Sequence, residues 1–71
     1  MTKRIDLIAK IRRSAARSRI KFVRVRQGSC HAIWMLGSTR VVIPRHRELK
    51  EPLVVSIYRL CESELGNGWW K

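Results

Sequence analysis

The feature that most limits how this chain can fold is the stretch from Lys21 to Pro44. Two Gly-Ser pairs, Gly28-Ser29 and Gly37-Ser38, cut it into three short runs. In the first run, Val23 and Val25 alternate with Arg24 and Arg26, the pattern of a half-buried strand. Gln27-Gly28-Ser29 is the turn that follows. His31 to Leu36 is a second strand. Gly37-Ser38 is a two-residue hairpin loop with glycine first, which suits a type II′ turn. Thr39 to Ile43 is a third strand with Val41 and Ile43 inward. Pro44 stops it, because proline has no N–H to give to a ladder. Runs this short with turns this tight predict neighbouring antiparallel strands.

Both flanks read as helices. Thr2 is placed to cap the first, in which Ile5, Ile8, Ile11 and Ala15 recur at the helical period, with Leu7 at the stripe's edge. The opposite face carries Asp6, Lys10, Arg13 and Arg17, and Asp6–Lys10 is an i,i+4 pair of favourable orientation. The helix ends near Arg17-Ser18-Arg19 without a glycine cap. Arg45 to Lys50 reads as a polar connection. Pro52 then favours a helical first turn. Leu53, Ile57, Leu60 and Cys61 form a second apolar stripe, and Gly66 is a natural stop. Trp69-Trp70 are expected to fold back onto the core.

The order is therefore helix, three strands, helix. That is an α+β chain forming one domain over residues 1–71, with a three-stranded antiparallel sheet and both helices on one face. Trp34 belongs inward, since burying it supplies the largest packing gain available. The alternation then sends His31 to the open face, with Arg24 and Arg26 as its expected neighbours. The opposite register would bury His31.

Charge narrows the partners. The 71 residues include 16 Lys+Arg against 5 Asp+Glu, a formal net charge of +11. Residues 1–50 hold 14 of those cations and 2 of the acids, a net of +12, while residues 51–71 are nearly neutral. So lopsided an excess points to a polyanion, nucleic acid before others. A hydrophobic share of 45% argues for a folded chain. No apolar run is long enough to span a membrane, and Met1–Lys10 is too charged for a signal peptide. Two cysteines, Cys30 and Cys61, are too few for a disulfide framework, so free thiols and a cytoplasmic setting are expected.

Several chemistries lack their residues. Cys30 and His31 are adjacent and would point to opposite faces of a strand, and no CxxC or HxxxH spacing occurs, so no metal site and no cofactor is expected. There is no glycine-rich nucleotide loop and no carboxylate pair. Histidine with arginine is, however, sufficient for metal-free RNA cleavage. RNA carries its own nucleophile, the 2′-OH. An imidazole, titrating near pH ~6.5, can take or give the proton, and fixed guanidinium groups stabilise the phosphorane charge.

One resemblance goes further. Arg24-x-Arg26-x-Gly28-Ser29-x-His31-x-x-Trp34, followed by Val42-Ile43-Pro44-Arg45-His46-Arg47-Glu48-Leu49, resembles the HicA toxin family. That family's motif is a glycine, a short polar step, a histidine and an aromatic three residues on, then a Val/Ile-Pro-x-His element and a final helix. The resemblance implies a double-stranded-RNA-binding-domain-like fold. It implies the toxin of a type II toxin–antitoxin system: an mRNA endoribonuclease that arrests translation and growth, monomeric within a hetero-oligomeric complex with a HicB-like antitoxin. The family's catalytic histidine maps onto His31. Arg24 and Arg26, with Lys10, Arg13, Arg45 and Arg47, are the expected RNA contacts. His46, Gly28 and Ser29 are auxiliary or structural. Two departures stand out: Cys30 lies between Ser29 and His31, and Pro52-Leu53 replaces the usual Gly-Thr. The rival expectation is a non-catalytic basic RNA-binding module of the same fold.

Overall fold

The computed structural model describes residues 1–71. It orders them as β1 (Thr2–Lys3), α1 (Arg4–Ser18), β2 (Phe22–Gln27), β3 (His31–Leu36), β4 (Thr39–Pro44), β5 (Glu48–Leu49) and α2 (Glu51–Leu65). β2, β3 and β4 form a three-stranded antiparallel sheet in chain order. Ala32, Trp34 and Leu36 of β3 and Val41 and Ile43 of β4 are buried, and so join Leu7, Ile11 and Ala15 of α1 and Val54, Ile57, Tyr58 and Cys61 of α2 in one core. Because neighbouring strand residues point to opposite faces, both helices cover the same face. His31, Ile33, Met35, Arg40 and Val42 occupy the other. No helix is long and apolar enough to cross a membrane.

The expected polar connection contains a strand the sequence reading missed. Thr2 pairs with Leu49 and Lys3 with Glu48, antiparallel. Thr2 is therefore not the helix cap. Lys3 holds that position without a side-chain hydrogen bond, and the free Arg4 N–H donates to the Arg47 carbonyl at 2.9 Å. The Thr2 hydroxyl donates instead to Glu51 at 2.8 Å, tying the chain's start to the first turn of α2.

Both helical stripes are rotated from the expected ones. In α1, Leu7 is buried and Ile5 is 72% exposed; in α2, Val54 and Tyr58 are buried while Leu53 and Leu60 face out. Each helix carries more apolar residues than one face can bury, so the docking angle decides which are covered. Nor does the Asp6–Lys10 pair form: Lys10 Nζ lies 5.3 Å over the Tyr58 ring, and the sole ion pair within 4.0 Å joins the N-terminus to Glu51. α1 ends on Arg19 in the left-handed conformation, φ 58° and ψ 38°, with Ile20 N–H donating to Ala15. That conformation costs a residue with a side chain roughly 1–2 kcal/mol relative to a right-handed one. Ile20, packed against the core, offsets it.

The turns behave as their sequences imply. Gly37 has φ 59°, as a type II′ turn needs at its first position. A side chain there would also collide with the Glu64 carboxylate, which accepts hydrogen bonds from Ser38 and Thr39. Gly66 closes α2. Beyond it the chain folds back: Trp69 Nε1 donates to the Tyr58 carbonyl at 2.9 Å, and both tryptophan rings lie against Tyr58. Glu62 holds this tail by accepting from Gly68 N–H at 2.9 Å and from Trp70 Nε1 at 3.3 Å.

Two measurements check this packing. Leu7→Ala should lose about 2–5 kcal/mol in urea unfolding, whereas Ile5→Ala should stay within about 0.5 kcal/mol of wild type. The second concerns the tail. The Gly68 hydrogen bond, with Trp70 and the nearby Arg59 and Lys71, holds the Glu62 carboxyl below its ordinary 4.5, against a smaller opposing effect of burial. A carboxylate depressed in the folded state stabilises it above the ordinary pKa and ceases to as pH falls through the folded one. Tryptophan emission should therefore shift red on acidification below about 4.5, the ordinary carboxylate value, and Glu62→Gln should remove that step.

Candidate active site

Burial of Trp34 sets the geometry. The ring stacks on Phe22 with centroids 4.7 Å apart and an interplanar angle of 17°. Arg12 lies over the indole at 5.8 Å. The indole N–H has no hydrogen-bond partner, a cost of about 1–3 kcal/mol that the stacked apolar contact offsets. With Trp34 inward, His31 stands exposed on the open face.

β2 departs from the expected alternation. Phe22, not Val23, takes the inward place, because stacking on Trp34 buries more surface than valine could. Val23 pairs with Met35 and is 37% exposed; Val25, expected inward, is 55% exposed. Arg24 pairs with Trp34 and therefore lies on the helix side. Between Arg24 and Arg26 the register shifts, leaving Val25 as a bulge. The extra residue reverses the alternation, so Arg26 pairs with Ile33 and emerges on the face of His31. Re-aiming one side chain is a common use of a bulge. The expectation that Arg24 and Arg26 flank His31 together is thus corrected: Arg26 does, and Arg24 does not.

The turn before His31 is fastened from three directions. Gly28 N–H donates to the His31 carbonyl at 2.9 Å, and Arg45 N–H donates to the Cys30 carbonyl at 2.9 Å. The Arg45 guanidinium donates to the Gly28 carbonyl at 2.7 Å. A Cβ on Gly28 would sit 3.2 Å from the His31 carbonyl oxygen, so the close approach favours glycine. Cys30 is accommodated at the tip, where its Sγ lies 3.8 Å from the Ser29 hydroxyl. Arg26, Gly28, Ser29, Cys30, His31 and Ile33 line a cavity of about 380 Å³. No acidic residue lines it. An imidazole and a guanidinium can there meet one phosphodiester, with the Ser29 hydroxyl and the Cys30 thiol at the edge.

The other predicted site residues lie elsewhere. Arg45 buttresses the turn and also borders a second cavity, with His46, Arg47, Lys3 and Arg4. The two histidines therefore stand in separate cavities and do not form an acid–base pair. Lys10, over Tyr58, faces α2, and Arg13 borders a depression on α1 with Arg17. Neither lines the His31 cavity. Two cations escaped the sequence reading. Arg40 could have been found, since inward Val41 and Ile43 place it on the face of His31. Arg4 could not, because only the β1–β5 pairing brings it beside Arg45. No group of three or more His, Cys, Asp or Glu side chains is gathered in one place.

Comparison with protein-family models, with curated proteins and with solved structures gives no match for this chain.

The two thiols provide a test of this geometry. Cys30 is exposed and Cys61 fully buried, and burial pushes the Cys61 thiol up to about 12. A chromogenic disulfide reagent near pH 8 should titrate one thiol promptly in the native protein and two in denaturant. Cys30→Ser should abolish the prompt reaction.

Proposed function

We propose that this chain is a metal-independent endoribonuclease of the HicA toxin kind, acting on mRNA in the cytoplasm. The observation that carries the reading is the shared cavity of His31 and Arg26, acid-free and fixed by the Arg45 clamp. The element order, with both helices on one face, agrees with a double-stranded-RNA-binding-domain-like fold, and the net charge of +11 with a phosphate backbone as ligand.

In the proposed reaction His31 takes the proton of the ribose 2′-OH. The 2′-oxygen attacks the adjacent phosphorus, and the bond from phosphorus to the 5′-oxygen breaks. The products are a 2′,3′-cyclic phosphate and a 5′-hydroxyl, the latter protonated by the His31 imidazolium or by water. Arg26 neutralises the charge that builds on the phosphorane oxygens, the role a guanidinium beside the reacting phosphate fills. Growth arrest would follow from loss of mRNA. A HicB-like antitoxin with acidic contacts would silence the toxin by covering His31. The apolar strip beside it, Val23, Ile33, Met35 and Val42, with Arg26 and Arg40 nearby, is suited to such a cover.

A second reading has its own support. With His46 in a different cavity, only one imidazole serves the site, an arrangement that also suits a non-catalytic RNA-binding module. Turnover separates the two. Purified protein should cut labelled single-stranded RNA with EDTA present. His31→Ala should lose at least ~10²-fold in rate, the lower range for general acid–base catalysis, while still binding RNA and melting as wild type. Arg26→Gln should lose more activity than Arg24→Gln. Wild-type cleavage by the His31→Ala protein would sink the assignment, and RNA bound but never cut would establish the binding module.

A further inference from the structure

The cavity on the other side of Arg45 is unusual for what it lacks. It measures about 390 Å³ and is bordered by Lys3, Arg4, Arg45, His46 and Arg47. These side chains come from three places in the chain: β1, the start of α1 and the turn after β4. Glu48 stands across the ladder from Lys3, yet none of the five borders an ion pair, since the only one in the molecule is at the N-terminus. Arg24 approaches from β2, near enough to Arg4 for its charge to disfavour a second cation there.

Like charges left free would swing apart into water. Here the backbone and two hydrogen bonds prevent it. Arg4 Nε donates to the Pro44 carbonyl at 2.9 Å, and Arg4 N–H donates to Arg47. Arg45 Nη1 donates to Gly28. The Arg4 and Arg45 guanidinium groups are thus each anchored by one nitrogen, and their remaining N–H groups are unused within the protein; Arg47 is placed beside them by its main chain alone, through the carbonyl that accepts from Arg4 N–H. Burial chiefly, with smaller effects of the Arg45 and Arg24 charges, lowers the Arg4 pKa. Anchored guanidinium forks without a carboxylate partner are preorganised for phosphate oxygens.

We infer that Arg4, Arg45 and Arg47 form a second phosphate-binding subsite, which holds the RNA strand at a phosphodiester neighbouring the one presented to His31. The inference rests on the proposed nuclease reading for its choice of ligand. Arg45 joins the two cavities, because the side chain that borders the second also fastens the turn that forms the first. The subsite gives the site a length requirement. A dinucleotide, with one phosphodiester, fills the His31 cavity alone, whereas a longer strand engages both.

The test measures binding rather than cleavage, so that it stands or fails apart from catalysis. Fluorescence anisotropy would follow a labelled single-stranded RNA octamer and a labelled dinucleotide on the His31→Ala background. Arg4→Gln and Arg47→Gln should each weaken octamer binding about 5- to 10-fold. Each should also flatten the dependence of log affinity on log salt by about 0.7, the single-strand value for one phosphate contact. The dinucleotide should lose much less. Arg17→Gln removes the same charge from a distant part of α1 and is the control. Arg47→Gln guards against misfolding, since the Arg47 side chain makes no hydrogen bond within the protein, and thermal melting would verify both variants. Equal losses for Arg17→Gln and Arg47→Gln would show a diffuse charge effect and overturn the subsite. So would unchanged octamer affinity in the Arg47→Gln protein, whether or not the wild type cleaves RNA.

Discussion

Trp34 determines which way the sheet faces. It is the largest side chain in the central strand, and the core has a place for it only between the sheet and the helices. Its stacking on Phe22 fixes the pairing of β2 with β3, and its inward direction sends His31 outward. A slip of one residue would exchange His31 with the core residues beside it. The unpaired indole N–H shows that packing, not hydrogen bonding, holds this arrangement.

The same stacking creates a conflict in β2, and the bulge resolves it. With Phe22 inward, strict alternation would put Arg24 and Arg26 both on the helix side. One extra residue at Val25 releases Arg26 to the open face and leaves Arg24 behind, near Arg4. Of the two arginines, only Arg26 then borders the His31 cavity. Arg45 links the two cavities mechanically, since its main chain and side chain both hold the turn that ends at His31. A single arginine supports the candidate catalytic residue and lends charge to the neighbouring pocket.

The three strands of the main sheet and their turns were legible in the sequence because their signals are local. Gly37-Ser38 allows few conformations, and the outward direction of His31 followed from one decision about Trp34. What stayed hidden depends on contacts between distant segments. Ile5 and Leu7 are equally apolar, and so are Leu53 and Val54; only the docked sheet decides which of each pair is covered. A bulge leaves no mark in a run such as Val23-Arg24-Val25-Arg26, where either phase reads as a strand. A two-residue ladder carries no periodicity at all, so Arg4 could not be assigned to Arg45 from the sequence. Arg40 was a different case, since the alternation already required its outward position.

That small ladder also brings distant parts of the chain together. The meander joins neighbours through short turns, so its contacts close over little chain. Thr2 reaches Glu51 across 49 positions, the kind of closure whose entropy must be met before any contact rewards it. The start of the chain thus closes on β5 and α2 over the longest loop of any strand pairing in the molecule. Arg4 travels with that seam. The His31 turn is fastened within the sheet and by Arg45, whereas the second basic cavity takes its walls from both sides of the ladder, which makes it a feature of the whole fold and not of its sheet alone.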